Sequence, residues 1–473
     1  MSTVLNNYSN DTICAIATAM SDAGIGIIRV SGKDALSICD KIYLSSNKEH
    51  TLLRHAPNSI RFGYIYSDSK IIDEVMISFM KAPHSYTKED VIEINSHGGM
   101  LVMNEILQLL LKNGCRLAEP GEFTKRAFLN GRIDLTKAEA IMDVISAQNK
   151  FALESSRSQL QGKVYSKIKE LREKILYQMA FIESALDDPE NYDLDGFPEK
   201  LREIIESINS EIYYLINSAD EGKIRKDGIN TVIVGKPNAG KSSLLNTLTG
   251  DERAIVTDIA GTTRDIIEET VRLGDIILHV IDTAGIRSTD DVIEKIGVDK
   301  AKSKVAEADL VLYILDSTNE IDNEDRQIIG LCKDKKTIVL LNKNDLSDNI
   351  KITEDIVRVQ FSEYKHDKLY VISTSMLKGD GIQELRDAVA DLFLNGDIVP
   401  KQELYITNLR HKSLLQEAYD SLLLVIDSID KNLSEDFYNV DLTNAYAALG
   451  EIIGEEVGDD LVEEIFSKFC MGK

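Results

Sequence analysis

Gly235-Lys236-Pro237-Asn238-Ala239-Gly240-Lys241-Ser242 follows the apolar run Thr231 to Val234 and opens the helical run Ser243-Leu244-Leu245-Asn246. Strand, glycine-rich turn and helix are the context a phosphate-binding loop needs. Successive backbone NH groups curl around the β-phosphate, Lys241 reaches the β/γ oxygens, and the Ser242 hydroxyl can hold Mg2+. Four further segments follow in the order expected of a guanine-nucleotide switch. Thr257-Asp258-Ile259-Ala260-Gly261-Thr262-Thr263-Arg264-Asp265 stands where a switch segment lends a threonine to Mg2+, and Thr263 is the expected ligand. Asp282-Thr283-Ala284-Gly285 ends the strand-like run Ile276 to Ile281; its carboxylate can reach the Mg2+ shell and the Gly285 NH the γ-phosphate. Asn342-Lys343-Asn344-Asp345 ends the apolar run Ile338 to Leu341, and Ser373-Thr374-Ser375 follows Leu369 to Ile372. Asp345 can accept two hydrogen bonds from the guanine N1 and N2 donors, with the 373–375 segment supporting that contact. Adenine would leave those lone pairs unpaired, so the expected nucleotide is GTP and not ATP.

The residue after Asp282-Thr283-Ala284-Gly285 is Ile286, where Ras-like enzymes carry the glutamine that orients the attacking water. Another carboxylate or amide must do that work, and a positive charge must neutralise the transition state. Asn238, facing the carbonyl-rich loop Thr257 to Gly261, could cage a monovalent cation beside the phosphates. Arg264 and Arg287 are internal alternatives, though an arginine in such a loop is more often solvated or salt-bridged.

These segments need a frame. At 473 residues the chain exceeds one core and suggests about three domains. Residues 1–118 read as an α+β domain, with strands expected at Gly26–Val30, Ile60–Tyr66, Ile71–Phe79 and Val91–Asn95 and helices at Lys33–Tyr43 and Leu101–Asn113. Residues 119–220 read as long amphipathic helices, broken at Asp187-Asp188-Pro189 and at Asp195-Gly196-Phe197-Pro198. The nucleotide domain occupies 221–395, and helical periodicity resumes in 396–473. The last segment leaves an apolar face that needs a partner, so it is expected to pack on residues 120–218. The fold class is thus multidomain α/β and α, with a P-loop domain inserted into one discontinuous helical domain.

The formal net charge of −25 argues against nucleic-acid binding over the whole surface. Lys125 to Lys174 nevertheless holds eleven basic residues against six acidic, and Ile175 to Asp220 two against eleven. The basic stretch could face RNA, form half of a subunit interface, or be a solvated helix face with ordinary i, i+4 pairs. Cys14, Cys39, Cys115, Cys332 and Cys470 form no Cys-x-x-Cys pair, which fits core thiols in a reducing compartment. No apolar run approaches the roughly 20 residues of a membrane helix, and Met1-Ser2-Thr3-Val4 opens no targeting pattern. A soluble, cytoplasmic protein with no membrane association is expected.

Three segments outside the nucleotide motifs narrow the reading: Gly24-Ile25-Gly26-Ile27-Ile28-Arg29-Val30-Ser31-Gly32, Pro120-Gly121-Glu122-Phe123-Thr124-Lys125-Arg126-Ala127-Phe128-Leu129-Asn130, and Phe469-Cys470-Met471-Gly472-Lys473. With the 257–265 segment they resemble the MnmE (TrmE) family of bacterial tRNA uridine-modification GTPases over essentially the full chain. A ribosome-assembly GTPase would share residues 231–375 and lack these three. Met471, where the family usually has Ile, conserves volume. The resemblance implies an N-terminal domain that binds folate and dimerises, a helical domain built from both flanks of the GTPase domain, and K+-dependent pairing of GTPase domains in a homodimer. Residue by residue, it implies K+ at Asn238, Thr257, Ile259 and Thr262, Mg2+ at Ser242 and Thr263, and Glu294 organising the attacking water, with Lys241 and Thr263 completing the catalytic set. A reduced folate, 5-formyl- or methylene-tetrahydrofolate, would be held by Arg29, Glu93, Arg132 and Lys473, Arg132 standing where some members have Lys. The implied activity adds an aminomethyl-type group to carbon 5 of a wobble uridine in certain tRNAs. FAD would be carried by a partner subunit of the MnmG type in a heterotetramer, because this chain has no dinucleotide fingerprint. The alternative is a GTP-dependent RNA or ribosome assembly switch without one-carbon chemistry.

Overall fold

The computed structural model describes the chain except residues 1–10, 48, 50–51, 55, 69, 189–195, 251–268, 275, 282–303, 347–348, 367, 395–403, 456 and 473. It divides into two compact units, one of residues 1–146, 156–212 and 413–473, the other of residues 147–155 and 213–412.

The first unit opens with a seven-stranded sheet: β1 Ile13–Ile16, β2 Gly26–Ser31, β3 Tyr43–Ser45, β4 Ser59–Ser67, β5 Lys70–Met80, β6 Val91–Ser96 and β7 Arg116–Leu117, in the order β3-β4-β5-β6-β2-β1-β7. Neighbours are antiparallel except β1 and β7. Period-two patterning explains the layering: Val75, Ile77 and Phe79 of β5 are buried while Met76 between them is exposed. The buried side packs on α1 Ala35–Ile42 and α2 Met100–Lys112 through Ile38, Met103, Ile106 and Leu110. The expected strands and helices are present; β1, β3 and β7, of four, three and two residues, were too short to announce themselves.

Helices follow along the chain: α3 Glu122–Leu129, α4 Leu135–Ser146 and α6 Lys163–Asp187 in this unit, and α5 Lys150–Leu160 and α7 Phe197–Asp227, each with residues in both units. One helix ends at Asp187 and the next begins at Phe197 with Pro198 in its first turn, where a missing NH costs no intrahelical bond, so helix ends fall beside both expected breaks. The last helices of the chain are α12 Leu409–Asp430, which begins in the second unit, α13 Glu435–Ile453 and α14 Asp459–Ser467. α13 packs along α6 around buried Arg172. The Arg172 guanidinium lies 3.9 Å over the Tyr446 ring, its Nε donates to the Tyr446 carbonyl at 3.2 Å, and it pairs with Glu455. The C-terminal helices therefore do cover residues of the 120–218 region.

The second unit is a six-stranded sheet of β8 Ile229–Val234, β9 Glu269–Leu273, β10 Ile276–Val280, β11 Leu310–Asp316, β12 Lys336–Asn342 and β13 Tyr370–Ser373, ordered β13-β12-β11-β8-β10-β9. All pairs are parallel except β9 with β10. Helices α8 Lys241–Gly250, α9 Asn323–Cys332 and α10 Glu354–Gln360 lie in connections between strands, and α11 Ile382–Leu394 follows the last strand. β8, β11 and β12 are near-continuous apolar runs because helices cover both faces, one through Leu244, Leu248 and Leu385, the other through Ile329, Val357 and Phe361. β8 sits between β11 and β10, so the strand order reverses there and leaves the crevice where such sheets bind ligands. No helix among the described residues is long and apolar enough to cross a membrane.

Candidate functional site

The phosphate-type loop spans the carboxyl end of β8 and the amino end of α8. Gly235, at φ +152°, presses on β11, where a Cβ would lie 2.5 Å from the Ile314 carbonyl oxygen. Gly240, at φ +115°, is equally constrained, because a Cβ would lie 2.1 Å from the Asn342 Nδ2. Only glycine satisfies both positions. Between them Asn238 takes a left-handed φ of +61°, a conformation asparagine tolerates better than most residues. The Lys241 ammonium donates to the Gly235 carbonyl at 2.6 Å and the Lys236 carbonyl at 2.8 Å. Burial pulls it below the usual lysine range, so an anion in the loop would be a favourable partner. Ser242 and Ser243 lie in the first turn of α8, where amide groups and the helix dipole favour negative charge. Loop backbone at a helix N-terminus, an ammonium and a serine hydroxyl are the chemistry that suits a Mg2+-bound phosphate.

Asn342 is the strut of this site. It is 4% exposed, its Nδ2 donates to the Ala239 carbonyl at 2.8 Å, and its Oδ1 accepts from the Met376 amide at 3.1 Å. One side chain thus ties the phosphate loop to the segment after β13. Asp345 accepts from the Ser375 hydroxyl at 2.8 Å, which fixes one carboxylate oxygen. Thr374 is buried, its amide and hydroxyl both directed to the Leu341 carbonyl, and its own carbonyl accepts from the Asn344 amide at 3.1 Å. Lys343, at φ +67°, pairs with Asp316 at 2.6 Å. The two loops expected to bind the base are therefore hydrogen-bonded to each other. Sequence reading gave Asn342 a base-side role; its function as the brace of the phosphate loop depends on the register of β12 beside β11 and β8 and was not anticipated.

A second cluster lies in the first unit. Arg29 and Glu93 are register partners on β2 and β6, and both Nε and a terminal nitrogen of Arg29 donate to one Glu93 oxygen, at 2.9 and 2.8 Å. The remaining Arg29 nitrogen donates to the Gly472 carbonyl at 3.1 Å, bringing Gly472 to the sheet. Gly472 has φ +85°, and a Cβ there would lie 2.3 Å from the Ile16 carbonyl oxygen, so the tail enters only as glycine. Arg132 donates to the Tyr86 carbonyl at 3.0 Å and stacks 4.7 Å from the centroid of the Tyr86 ring. Arg29 lies 5.4 Å from the same ring and 5.6 Å from that of Phe123. Tyr86, whose hydroxyl contacts Thr124 at 2.9 Å, is thus shared by two guanidinium groups. Two cations, one carboxylate and an aromatic face suit a heteroaromatic ligand carrying carboxylates. Tyr86 was missed because nothing in the local sequence links it to residues 57 positions upstream or 46 downstream.

Thr257, Ile259, Thr262, Thr263, Asp282, Thr283, Ala284, Gly285, Glu294 and Lys473 lie outside the described residues. So do Arg264, Ile286 and Arg287. Of the thiols, Cys14, Cys39, Cys115 and Cys332 are buried and Cys470 is exposed. Burial and its neighbours push the Cys39 thiol up, and burial pushes that of Cys332 up to about 12, so both are packing groups. The basic stretch resolves largely into internal ion pairs. Buried Arg126 bonds Asp11, Glu89 and Glu122; Lys125 pairs with Glu463; Lys167 and Lys174 share Glu170 and Glu211. The solvated or paired helix face is the reading these contacts favour.

Residues 135–470 match the family described as MnmE helical domain, and residues 12–132 that described as GTP-binding protein TrmE N-terminus. The tRNA modification GTPase MnmE of Lachnoclostridium phytofermentans is 49% identical over 463 residues, covering 98% of this chain and 99% of that protein. Those of Alkaliphilus oremlandii and Clostridioides difficile are each 45% identical, over 98% of this chain and all of theirs. Similarity of this extent across both units, together with the phosphate loop and its base-side brace, establishes that the chain belongs to the MnmE (TrmE) family of tRNA modification GTPases.

Proposed function

We propose that this chain is a K+-stimulated GTP hydrolase that modifies carbon 5 of the wobble uridine of certain tRNAs, drawing a one-carbon unit from a reduced folate. The observation that carries the reading is the coexistence of a braced phosphate loop with the Arg29–Glu93–Arg132 cluster around Tyr86, for which a plain assembly switch has no use. Asn238 to Ser243 bind the phosphates, Asp345 selects guanine, and Ser373 to Ser375 hold Asp345 in place. Ser242 and Thr263 would hold Mg2+, and Asn238, Thr257, Ile259 and Thr262 would hold K+. Together these ions would neutralise charge on the phosphoryl oxygens. Glu294 would orient the attacking water, Lys241 would bind the transferring phosphoryl group, and Asp282 to Gly285 would sense the γ-phosphate. Arg29, Glu93, Arg132 and Lys473 would bind folate, the arginine forks matching its carboxylates.

The same reading assigns residues 1–118 to folate binding and dimerisation, 119–220 and 396–473 to the helical domain, and 221–395 to the GTPase domain. The homodimer is favoured by an exposed apolar strip on β4 and β5, where Ile60, Phe62 and Met76 are 66, 51 and 47% exposed. An FAD-containing subunit of the MnmG type would complete a cytoplasmic heterotetramer acting on tRNA.

Steady-state GTP hydrolysis in K+ and in Na+ at equal ionic strength tests the catalytic part. Strong stimulation by K+ is expected, and equal rates would sink it. Glu294→Ala should retain GTP binding and lose turnover. Equilibrium binding of 5-formyltetrahydrofolate tests the rest, with no measurable affinity favouring the assembly switch.

A further inference from the structure

Lys236 follows the first glycine of the phosphate loop, at a position with no role in the phosphate contacts described above. Its ammonium lies 2.6 Å from an Asp325 carboxylate oxygen and 2.8 Å from one of Asp322. Asp325 is 1% exposed and accepts further hydrogen bonds. The hydroxyl of Tyr313, fully buried on β11, donates to Asp325 at 3.0 Å, and the Asp322 amide donates to it at 3.1 Å. Asp322 in turn caps α9, accepting from the Glu324 and Asp325 amides at 3.0 and 3.2 Å. Lys236 is the cation paired with buried Asp325 among the described residues. Burial opposes the Lys236 charge, but Asp322 and Asp325 outweigh it and hold the ammonium above the usual lysine range.

The main chain of the same residue faces the other way. The Lys236 carbonyl accepts from the Lys241 ammonium at 2.8 Å and from the Ala239 amide at 3.3 Å. Side chain and carbonyl of one residue therefore join the core of the sheet, through Tyr313 and Asp325, to the ammonium expected to meet the phosphates. We propose that Lys236 is a positioning residue of the nucleotide site: its clamp on Asp325 and Asp322 fixes the loop carbonyl that presents Lys241. The clamp thereby preorganises the loop before nucleotide arrives. This inference rests on the nucleotide-binding reading of the loop. Preorganisation lowers the ordering cost of binding, so losing it weakens every nucleotide that uses the β-phosphate, GDP and GTP alike.

The test compares the full-length wild type with Lys236→Met, Lys236→Arg and the double variant Lys236→Met/Asp325→Asn, using fluorescent GDP for affinity and thermal unfolding for stability. Lys236→Met should weaken GDP affinity about tenfold, the scale of one charge-assisted contact. Lys236→Arg, which keeps a cation for Asp325, should remain within about threefold of wild type. In the double variant the buried charge is gone. The melting temperature should recover most of its loss while the affinity stays low, a split that a purely structural role would not produce. Wild-type affinity in Lys236→Met, or joint recovery of affinity and stability in the double variant, overturns the proposal. Absence of GDP binding by the wild type would instead overturn the nucleotide-site reading beneath it.

Discussion

Asn342 offers the sharpest perturbation of the nucleotide unit, because two loops depend on one buried amide. Asn342→Ala removes the donor held 2.8 Å from the Ala239 carbonyl and the acceptor held 3.1 Å from the Met376 amide. Ala239 and Met376 are 2 and 8% exposed, so water does not readily replace either bond. An unpaired buried polar group costs about 1–3 kcal/mol, which places the joint loss at roughly 2–6 kcal/mol. The readout is amide hydrogen exchange in residues 235–245 and 373–377, which measures local opening. Even the lower bound is more than tenfold in protection, about 1.4 kcal/mol per decade. Asn342→Asp separates the two bonds, since its carboxyl keeps the acceptor for Met376 and sets an oxygen against the Ala239 carbonyl. Burial raises such a carboxyl above its unfolded value of about 3.9, and when protonated it can donate to Ala239 as the amide does. The sign follows: the raised folded value makes this variant lose stability as pH rises from the unfolded to the folded pKa, by up to about 1.36 kcal/mol per unit, and then level off. Protection in Asn342→Asp should therefore match the alanine variant at pH 8 and recover toward pH 5.5. Wild-type exchange rates in Asn342→Ala, or a pH-independent Asn342→Asp, would refute the strut.

Other consequences are open to direct measurement. Asp345→Asn exchanges an acceptor for a donor opposite the base, so GDP affinity should fall about 100-fold or more while a xanthine nucleotide gains; unchanged preference would remove Asp345 from base recognition. Arg29→Met should abolish binding of 5-formyltetrahydrofolate measured calorimetrically, and Glu93→Gln should weaken it, with GDP affinity intact in both; undiminished folate binding would discard the cluster. Arg126→Met leaves a carboxylate cluster that includes Glu122, 6% exposed, without one of its two arginines, and should cost about 3–5 kcal/mol in denaturant unfolding of the first unit. Burial works against ionisation of Glu122, but Arg116, the Glu119 amide and Arg126 outweigh it and hold the carboxyl below the usual range. Its stabilisation is therefore complete above the unfolded value near 4.3 and lost as pH falls through the lower folded value, and Glu122→Gln should flatten that part of the acid-unfolding curve.

The parts legible in sequence were those whose physics is local. The phosphate loop is recognisable because its glycines, its Lys241 and its serines lie within nine residues and answer to one backbone path. The buried strands β8 and β12 show themselves as apolar runs, and helices end or begin beside the two proline-bearing segments expected to break them. What only the tertiary structure decided is where distant side chains meet. Arg29 reaches Gly472 across 443 positions, and resemblance could name Arg29, Glu93 and Arg132 without revealing that Tyr86 lies between the two guanidinium groups. The basic excess of residues 125–174 looked like a surface property until Arg126 and Arg172 proved buried against carboxylates as far off as Asp11 and Glu455. Lys236 and Asp325 likewise become a pair only when β8, β11 and α9 are assembled. Backbone preferences and periodicity act over a few residues and are written in order along the chain. Partnership between buried charges depends on the register and packing of whole elements, so it exists only once the chain has folded.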